Sequence, residues 1–205
     1  MNTNDTTGFP VRKDHNMCGR FYIEIEETEL KEIVAEVEKN MSAYPEQITI
    51  KFSGEIFPTN TVAVQTAPSQ YQPMKWGFAG FDGKPIINAR SETALQKPMF
   101  REAMWKRRCL IPASGYYEWK KDGGKKTKYR FFVPNEPLYL AGCYRAEKDN
   151  GLLNFVILTR QAENGAEAIH DRMPVIVPKE HRETWFRETP DDFEYKIGKL
   201  VFEAV

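Results

Sequence analysis

Apolar residues spaced three or four positions apart predict an amphipathic helix early in the chain, from about Glu27 to Met41. Glutamates occupy many of the intervening positions and would cover the outer face of this helix. An apolar stretch at 20–25, just before the helix, predicts a strand. The apolar positions of the helix are Leu30, Ile33, Val34, Val37 and Met41.

The rest of the chain is typical of short strands separated by turns. The triplet Asp122-Gly123-Gly124 predicts a tight hairpin between two of these strands. The predicted strands are 61–66, 72–78, 110–121, 128–133, 138–144, 153–159 and 174–177. Shorter helices are predicted at 98–106, 162–169 and 179–186, with one more close to the C-terminus.

This pattern predicts a single α+β domain of mostly antiparallel strands over residues 17–205. Residues 1–16 carry no periodic pattern, and we expect them to form a flexible leader. The sequence shows no internal repeat and no linker, so a second domain is not expected.

Composition narrows the class of protein. The 205 residues are 41% hydrophobic and 13% aromatic, which is ordinary for a globular protein. No apolar run reaches the roughly 20 residues of a membrane span, and the first residues lack the apolar centre of a secretory signal. Cys18, Cys109 and Cys143 cannot all pair with one another and match no zinc-binding spacing. We therefore expect free thiols in a reducing cytoplasm, and no metal.

Charge leaves two interpretations open. The 29 basic and 29 acidic residues cancel, but the acidic residues concentrate early in the chain and the basic ones in its middle. The middle could form a basic groove for nucleic acid, or the charges could belong to ordinary solvated faces.

Two segments place reactive or anion-binding groups among apolar residues. In 17–21, a glycine leaves the sulfur of Cys18 accessible, and the arginine two positions later could favour its thiolate. The alternative is a small core cysteine that precedes a strand. In 87–93, a strand would direct Asn88 and Arg90 to one face, as a phosphate- or oxyanion-binding surface requires. The alternative is that the residues after Arg90 simply begin a turn.

Two further segments carry candidate acid–base groups. In 108–119, Glu118 lies between two aromatic residues of an apolar strand, where a raised pKa would suit a general acid or base. The alternative is a harmless glutamate on the outer face of that strand. In 169–174, His170 stands where a predicted helix gives way to a strand. It could be a site residue, or it could close the helix against its dipole.

Taken in order along the chain, these segments resemble the SRAP family, the SOS-response-associated peptidase-like proteins known as abasic-site processing proteins. The resemblance runs from Met17 to about Phe186. The segments that begin at Met17, Asn88, Arg108 and His170 correspond to the family's hallmark motifs, and 57–60 and 75–78 resemble two further family segments.

The resemblance implies a compact α+β domain with a distorted β-barrel core, and it implies roles for particular residues. Cys18 matches the cysteine that links to DNA, Asn88 and Glu118 match polar residues around the sugar, and His170 matches the site histidine. The arginines match phosphate contacts, Pro58 a loop near the lesion, and the Trp-Gly pair the lining of a single-stranded DNA groove. The implied DNA-binding residues are Arg20, Pro58, Trp76, Gly77, Arg90 and Arg172.

The chemistry of such a site follows from an aldehyde and a cysteine. An abasic deoxyribose opens to an aldehyde, which a neutral amine attacks to give a Schiff base. The α-amine of an N-terminal cysteine has a pKa of about 7.7–8.0, so a useful fraction is neutral near pH 7. The thiol then closes a thiazolidine ring in an intramolecular step. We hypothesise that Glu118 and His170 move protons in these steps, while Asn88 orients the amine or the sugar.

One feature departs from this pattern. Sixteen residues precede Met17, and a peptide amide at Cys18 cannot form a Schiff base. Either translation starts at Met17, or the leader is removed by proteolysis that could be self-catalysed, or the full-length form binds DNA without reacting.

The expected function is therefore covalent capture of abasic sites in single-stranded DNA by a cytoplasmic monomer that joins the nucleoid when bound to DNA. No cofactor and no membrane partner are expected. The resemblance also implies peptidase activity toward the leader and Schiff-base lyase activity. Two alternatives remain: a thiol hydrolase that uses Cys18, His170 and Glu118, and a module that binds single-stranded DNA without a covalent step.

Overall fold

A computed structural model of the chain describes residues 18–25, 28–44, 48–147, 152–187, 193 and 195–205. The predicted leader, 1–16, lies outside the described residues, as does Met17.

The described strands are β1 (Phe21–Ile23), β2 (Gly54–Ile56), β3 (Thr61–Ala67), β4 (Gln70–Trp76), β5 (Asn88–Arg90), β6 (Arg108–Ala113), β7 (Gly115–Asp122), β8 (Lys125–Phe132), β9 (Leu138–Ala146), β10 (Leu153–Gln161), β11 (Arg172–Pro174) and β12 (Val201–Ala204). The described α-helices are α1 (Thr28–Lys39), α2 (Ser91–Ala94), α3 (Pro98–Lys106) and α4 (Arg182–Arg187), and three-residue 3₁₀ helices lie at Met41–Ala43, Ala166–Ala168 and Lys179–His181.

Five of these strands close into a barrel. Their order is β10-β4-β3-β6-β9, and β9 pairs again with β10 to complete the circle. Most neighbours are antiparallel, but β4 and the short strand β5 both run parallel to β10. The α+β class and the barrel core expected from the sequence are both confirmed.

A second sheet, in the order β12-β8-β7-β1-β2, packs against the barrel. One row of residues crosses its inner face: Ile56 lies opposite Phe21, Phe21 opposite Tyr116, and Tyr116 opposite Phe131. Each of the four is at most 1% exposed. The ring of Phe21 reaches Trp76 of the barrel, with 5.2 Å between ring centroids, so the core continues from one sheet to the other.

The predicted strand 110–121 is divided between the two sheets. It leaves the barrel at Ala113 and enters the second sheet at Gly115, with the buried Ser114 between them. A side chain at Gly115 would place its Cβ 2.2 Å from the carbonyl oxygen of Phe131, so only glycine allows β7 to approach β8 this closely. This crossing brings Glu118 to the second sheet.

Other predicted elements have mixed outcomes. Helices α1 and α3 and the hairpin at Gly123-Gly124 are found where they were expected, and both of these glycines have positive φ. The helix expected at 162–169 is only a short 3₁₀ turn. Close to the C-terminus, where one more helix was expected, the described residues 195–205 contain no helix, and Val201–Ala204 pairs with β8 as an edge strand. Within the described residues, no helix is both long enough and apolar enough to cross a membrane.

Candidate active site at Cys18 and Glu118

Pairing of β1 with β7 brings Cys18 to Glu118, although the two are 100 positions apart in sequence. Cys18 lies just before β1, and its backbone nitrogen donates a hydrogen bond of 2.5 Å to Oε1 of Glu118. The cysteine is 1% exposed and the glutamate 2%. Cys18 also has a φ of +37°, a value that non-glycine residues seldom adopt. The chain therefore holds this amide against the carboxyl group in a strained backbone conformation.

Burial controls the protonation of both groups. Desolvation raises the pKa of Glu118 to about 8, and the charge of Asp171 adds to this rise, whereas hydrogen bonds from the backbone nitrogens of Cys18 and Trp119 oppose it. Burial and the charge of Glu118 together raise the pKa of the Cys18 thiol well above its ordinary value. The expectation that Arg20 favours a thiolate at Cys18 is wrong, because these two effects keep the sulfur protonated at neutral pH.

The raised pKa makes stability depend on pH. The folded protein retains a proton on Glu118 between about pH 4.5 and 8, whereas the unfolded chain loses it near 4.5. This proton stabilises the fold in acid, and the free energy of unfolding falls by on the order of 5 kcal/mol as the pH rises through that window. The Glu118→Gln variant should match the parent near pH 5 and exceed it near pH 8.5 in urea unfolding. Equal pH dependence in both proteins would show that the carboxyl group has an ordinary pKa.

The segment that contains His170 lies beside this pair, since the charge of the next residue, Asp171, acts on Glu118. The backbone nitrogen of Arg172 donates to Nδ1 of His170 over 3.1 Å, and Oδ1 of Asp171 lies 3.0 Å from the same atom. Nδ1 of His170 therefore contacts both the amide of Arg172 and the carboxylate of Asp171, and these two contacts orient the ring.

Strand β5 holds Asn88 and Arg90 on one face, as the alternation predicted. Pairing with β10 places Asn88 opposite Ile157 and Arg90 opposite Thr159. Helix α2 begins directly after Arg90, at the point where the alternative interpretation placed the start of a turn. A Cβ at Gly19 would lie 4.0 Å from Cδ1 of the preceding residue, Ile87, so β5 lies beside the Cys18 segment.

Arg172 links three elements near β5. Its guanidinium forms two hydrogen bonds with Glu92, of 2.5 and 2.8 Å, and a third of 2.6 Å with the carbonyl oxygen of Thr159. The Glu92 pair is partly exposed, so a phosphate would compete with this carboxylate for the guanidinium.

An aromatic and basic surface adjoins Cys18 on the outer face of the second sheet. The guanidinium of Arg20 lies 4.1 Å from the ring centroid of Phe57 and 5.1 Å from that of Trp119, and it pairs with Glu55 over 3.1 Å. Phe57 is 40% exposed. Neither ring was predicted from the sequence as a site residue. Alternation along β7 could have indicated Trp119, because an inward Glu118 turns its neighbours outward.

Trp76 requires a correction. We expected it to line a DNA groove, but its ring is completely buried between Phe21 and Phe155, and Nε1 donates to the carbonyl oxygen of Ile87 over 3.0 Å. It is a core residue that supports β5. Gly77 is also buried, whereas Pro58 is partly exposed next to Phe57.

Comparison with known proteins is consistent with this geometry. The family model described as SOS response associated peptidase (SRAP) matches residues 17–201. The chain belongs to the SRAP family. Cys18, at the start of the match, and Glu118, near its middle, therefore both lie inside the SRAP domain.

Relatives of this SRAP chain come from distant bacteria. It is 30% identical over 181 residues to the abasic site processing protein YedK of Escherichia coli, and the matched region covers 84% of this chain and 80% of YedK. It is 37% identical over 124 residues to the abasic site processing protein YobE of Bacillus subtilis, and the matched region covers 58% of this chain and 57% of YobE.

Solved structures share the SRAP fold of this chain. A crystal structure of a protein from Bacteroides thetaiotaomicron has a TM-score of 0.72 at 22% identity and covers 92% of both chains. One from Bordetella bronchiseptica has a TM-score of 0.69 at 23% identity and covers 92% of this chain and 99% of that one.

Proposed function

We propose that this SRAP protein processes abasic sites in DNA by capturing them covalently through Cys18. The observation that carries the proposal is the hydrogen bond from the nitrogen of Cys18 to the buried carboxyl group of Glu118. Once this nitrogen is a free amine, one residue presents both the amine and a sulfur to the same carbon, beside an acid–base group. The names of the relatives, abasic site processing proteins, support the same substrate.

The reaction balances without a cofactor. The α-amine of Cys18 attacks the aldehyde carbon of the ring-opened sugar, and the carbinolamine that forms loses water to give an imine. The thiol then adds to the imine carbon, and its proton passes to the nitrogen as the thiazolidine ring closes. Because nitrogen and sulfur belong to one residue, the second bond forms in an intramolecular step.

Glu118 is suited to both proton transfers. A carboxyl group with a pKa of about 8 is present in both protonation states near neutrality. As an acid it protonates the departing hydroxyl group of the carbinolamine, and as a base it receives the proton of the thiol. Asn88 and His170 complete the proposed site: the amide orients the sugar, and the imidazole exchanges protons with solvent.

The surface beside Cys18 suits single-stranded DNA. Phe57 and Trp119 offer faces on which bases can stack, and Arg20 between them can pair with a phosphate. Arg90, the exposed residue at the end of β5, and Arg172, in its partly exposed pair, are the further phosphate contacts of the proposal.

The reaction needs a free amine at Cys18, which the 205-residue chain holds in a peptide bond. We infer that the reacting form begins at Cys18, either because translation starts at Met17 and that residue is trimmed, or because the leader is cleaved off. The strained backbone of Cys18 and its amide contact with Glu118 favour cleavage by the chain itself at this bond.

A thiol hydrolase is the weaker candidate. Such an enzyme lowers the pKa of its cysteine, whereas burial and Glu118 raise the pKa of Cys18.

Comparison of cysteine with serine at position 18 tests the proposed ring. With its amine exposed, the parent should link to an abasic oligonucleotide in a denaturing gel without any reductant. The Cys18→Ser variant retains the amine but lacks the sulfur, so its adduct should survive only after borohydride treatment. A parent adduct that also requires borohydride would exclude the thiazolidine.

A further inference from the structure

Tyr116 places a hydroxyl group in a row of residues that is otherwise apolar. Its ring stacks on Phe131 with 4.7 Å between centroids, and its neighbour across the other strand is Phe21. The side chain is fully buried, and within the described part of the chain its hydroxyl group has no hydrogen-bond partner.

Packing does not require this hydroxyl group. A phenylalanine at position 116 could make the same stack without burying an unpaired polar atom, which costs stability. Buried polar groups are nearly always paired, so an unpaired one calls for a functional explanation.

The hydroxyl group shares its surroundings with the reacting pair. Tyr116 and Glu118 are two positions apart on β7, so both side chains point into the core from the same face. Burial raises the pKa of Tyr116 well above its ordinary value, ionisation of Cys18 or Glu118 raises it further, and the charge of Arg160 opposes these effects. The phenol therefore stays protonated and can donate to a neighbouring anion.

We propose that Tyr116 is a positioning residue, whose hydroxyl group donates to the carboxylate of Glu118 when that group gives up its proton during the reaction. This inference rests on the proposed function. The bond is absent in the resting state, in which Glu118 accepts from Cys18. Catalytic hydrogen bonds commonly tighten only in the complex with substrate.

Loss of the hydroxyl group should make Glu118 harder to ionise. The other groups that act on this carboxyl are the backbone nitrogens of Cys18 and Trp119 and the charge of Asp171, and all three remain in the Tyr116→Phe variant, as does Arg160. We expect the pKa of Glu118 to rise by about one unit and the ionised fraction at pH 7 to fall about tenfold. The rate of adduct formation at pH 7 should fall by about the same factor, while the thermal midpoint stays equal or rises.

The test measures the pKa of the Glu118 carboxyl group directly, in addition to the rate of adduct formation. Protein labelled with ¹³C at the glutamate carboxyl carbons would be titrated by NMR, with the Glu118 signal identified by its loss in Glu118→Gln. The matched control is Tyr117→Phe, which removes the hydroxyl group of the neighbouring, outward-facing ring and should leave the titration unchanged.

A raised titration midpoint together with a slower adduct in Tyr116→Phe would support the inference. An unchanged midpoint would overturn it, whatever the rate. If the parent protein forms no adduct at all, the proposed function fails, and the NMR titration still decides whether Tyr116 acts on Glu118.

Discussion

Replacement of Cys18 with alanine is expected to abolish the covalent adduct with abasic DNA. The variant keeps an α-amine but loses the sulfur that closes the ring, so any imine reverts by hydrolysis. Because Cys18 is small and buried, alanine fills most of its space and the fold should persist. We expect at least about a thousandfold less adduct at equal times, since the ring-closing step gains its advantage from being intramolecular.

Cys143→Ala is the matched control for this experiment. Cys143 is another buried cysteine, but it lies on barrel strand β9, and its side chain has no part in the proposed site. This variant should form adduct at the parental rate, measured by denaturing electrophoresis with a labelled oligonucleotide. Undiminished adduct in Cys18→Ala would mean that another nucleophile reacts.

Replacement of Glu118 with glutamine is expected to slow adduct formation by about 10²- to 10⁴-fold, the usual contribution of general acid–base catalysis. The amide can still accept the hydrogen bond from Cys18, so positioning survives while proton transfer is lost. The parental rate should rise with pH through two ionisations, that of the α-amine and that of the carboxyl group near its pKa of about 8, and the variant should keep only the dependence on the amine.

Rates from about pH 6 to pH 9, with binding to the same DNA measured in parallel, separate these effects. Glu24→Gln is the matched control, because Glu24 is an exposed carboxylate just beyond β1 that pairs with Arg130. Its pH profile should equal that of the parent. Equal rates for Glu118→Gln and the parent would remove Glu118 from the mechanism, and weaker DNA binding would assign it a structural role.

The sequence pattern predicted those helices and turns that depend only on residues close together along the chain. Helix α1 follows the spacing of its apolar residues, of which Leu30, Ile33 and Val37 are buried. The Gly123-Gly124 hairpin follows from two residues that tolerate positive φ. The pattern did not predict the strand Val201–Ala204, because its structure depends on a partner: it pairs with β8, and Phe202 packs on Phe131.

The candidate site was less predictable, because it depends on strand pairing. Resemblance named Cys18 and Glu118, but their contact requires β1 to lie next to β7, and periodicity does not specify which strands become neighbours. Which side chains are buried also depends on which strands become neighbours. Trp76 has the composition of a DNA-stacking residue and is a core residue, because the second sheet covers its ring. The unpaired hydroxyl group of Tyr116 is visible only in three dimensions.

The most direct test of covalent capture compares chains that start at Met1 and at Met17, each with and without Cys18→Ala, on a labelled single-stranded oligonucleotide with one abasic site. We predict a shifted band in a denaturing gel from the Met17 form that is lost in its Cys18→Ala variant. The Met1 form should shift only if mass spectrometry shows that its N-terminus has become Cys18. Folded protein that gives no Cys18-dependent band from either start would contradict covalent capture through Cys18.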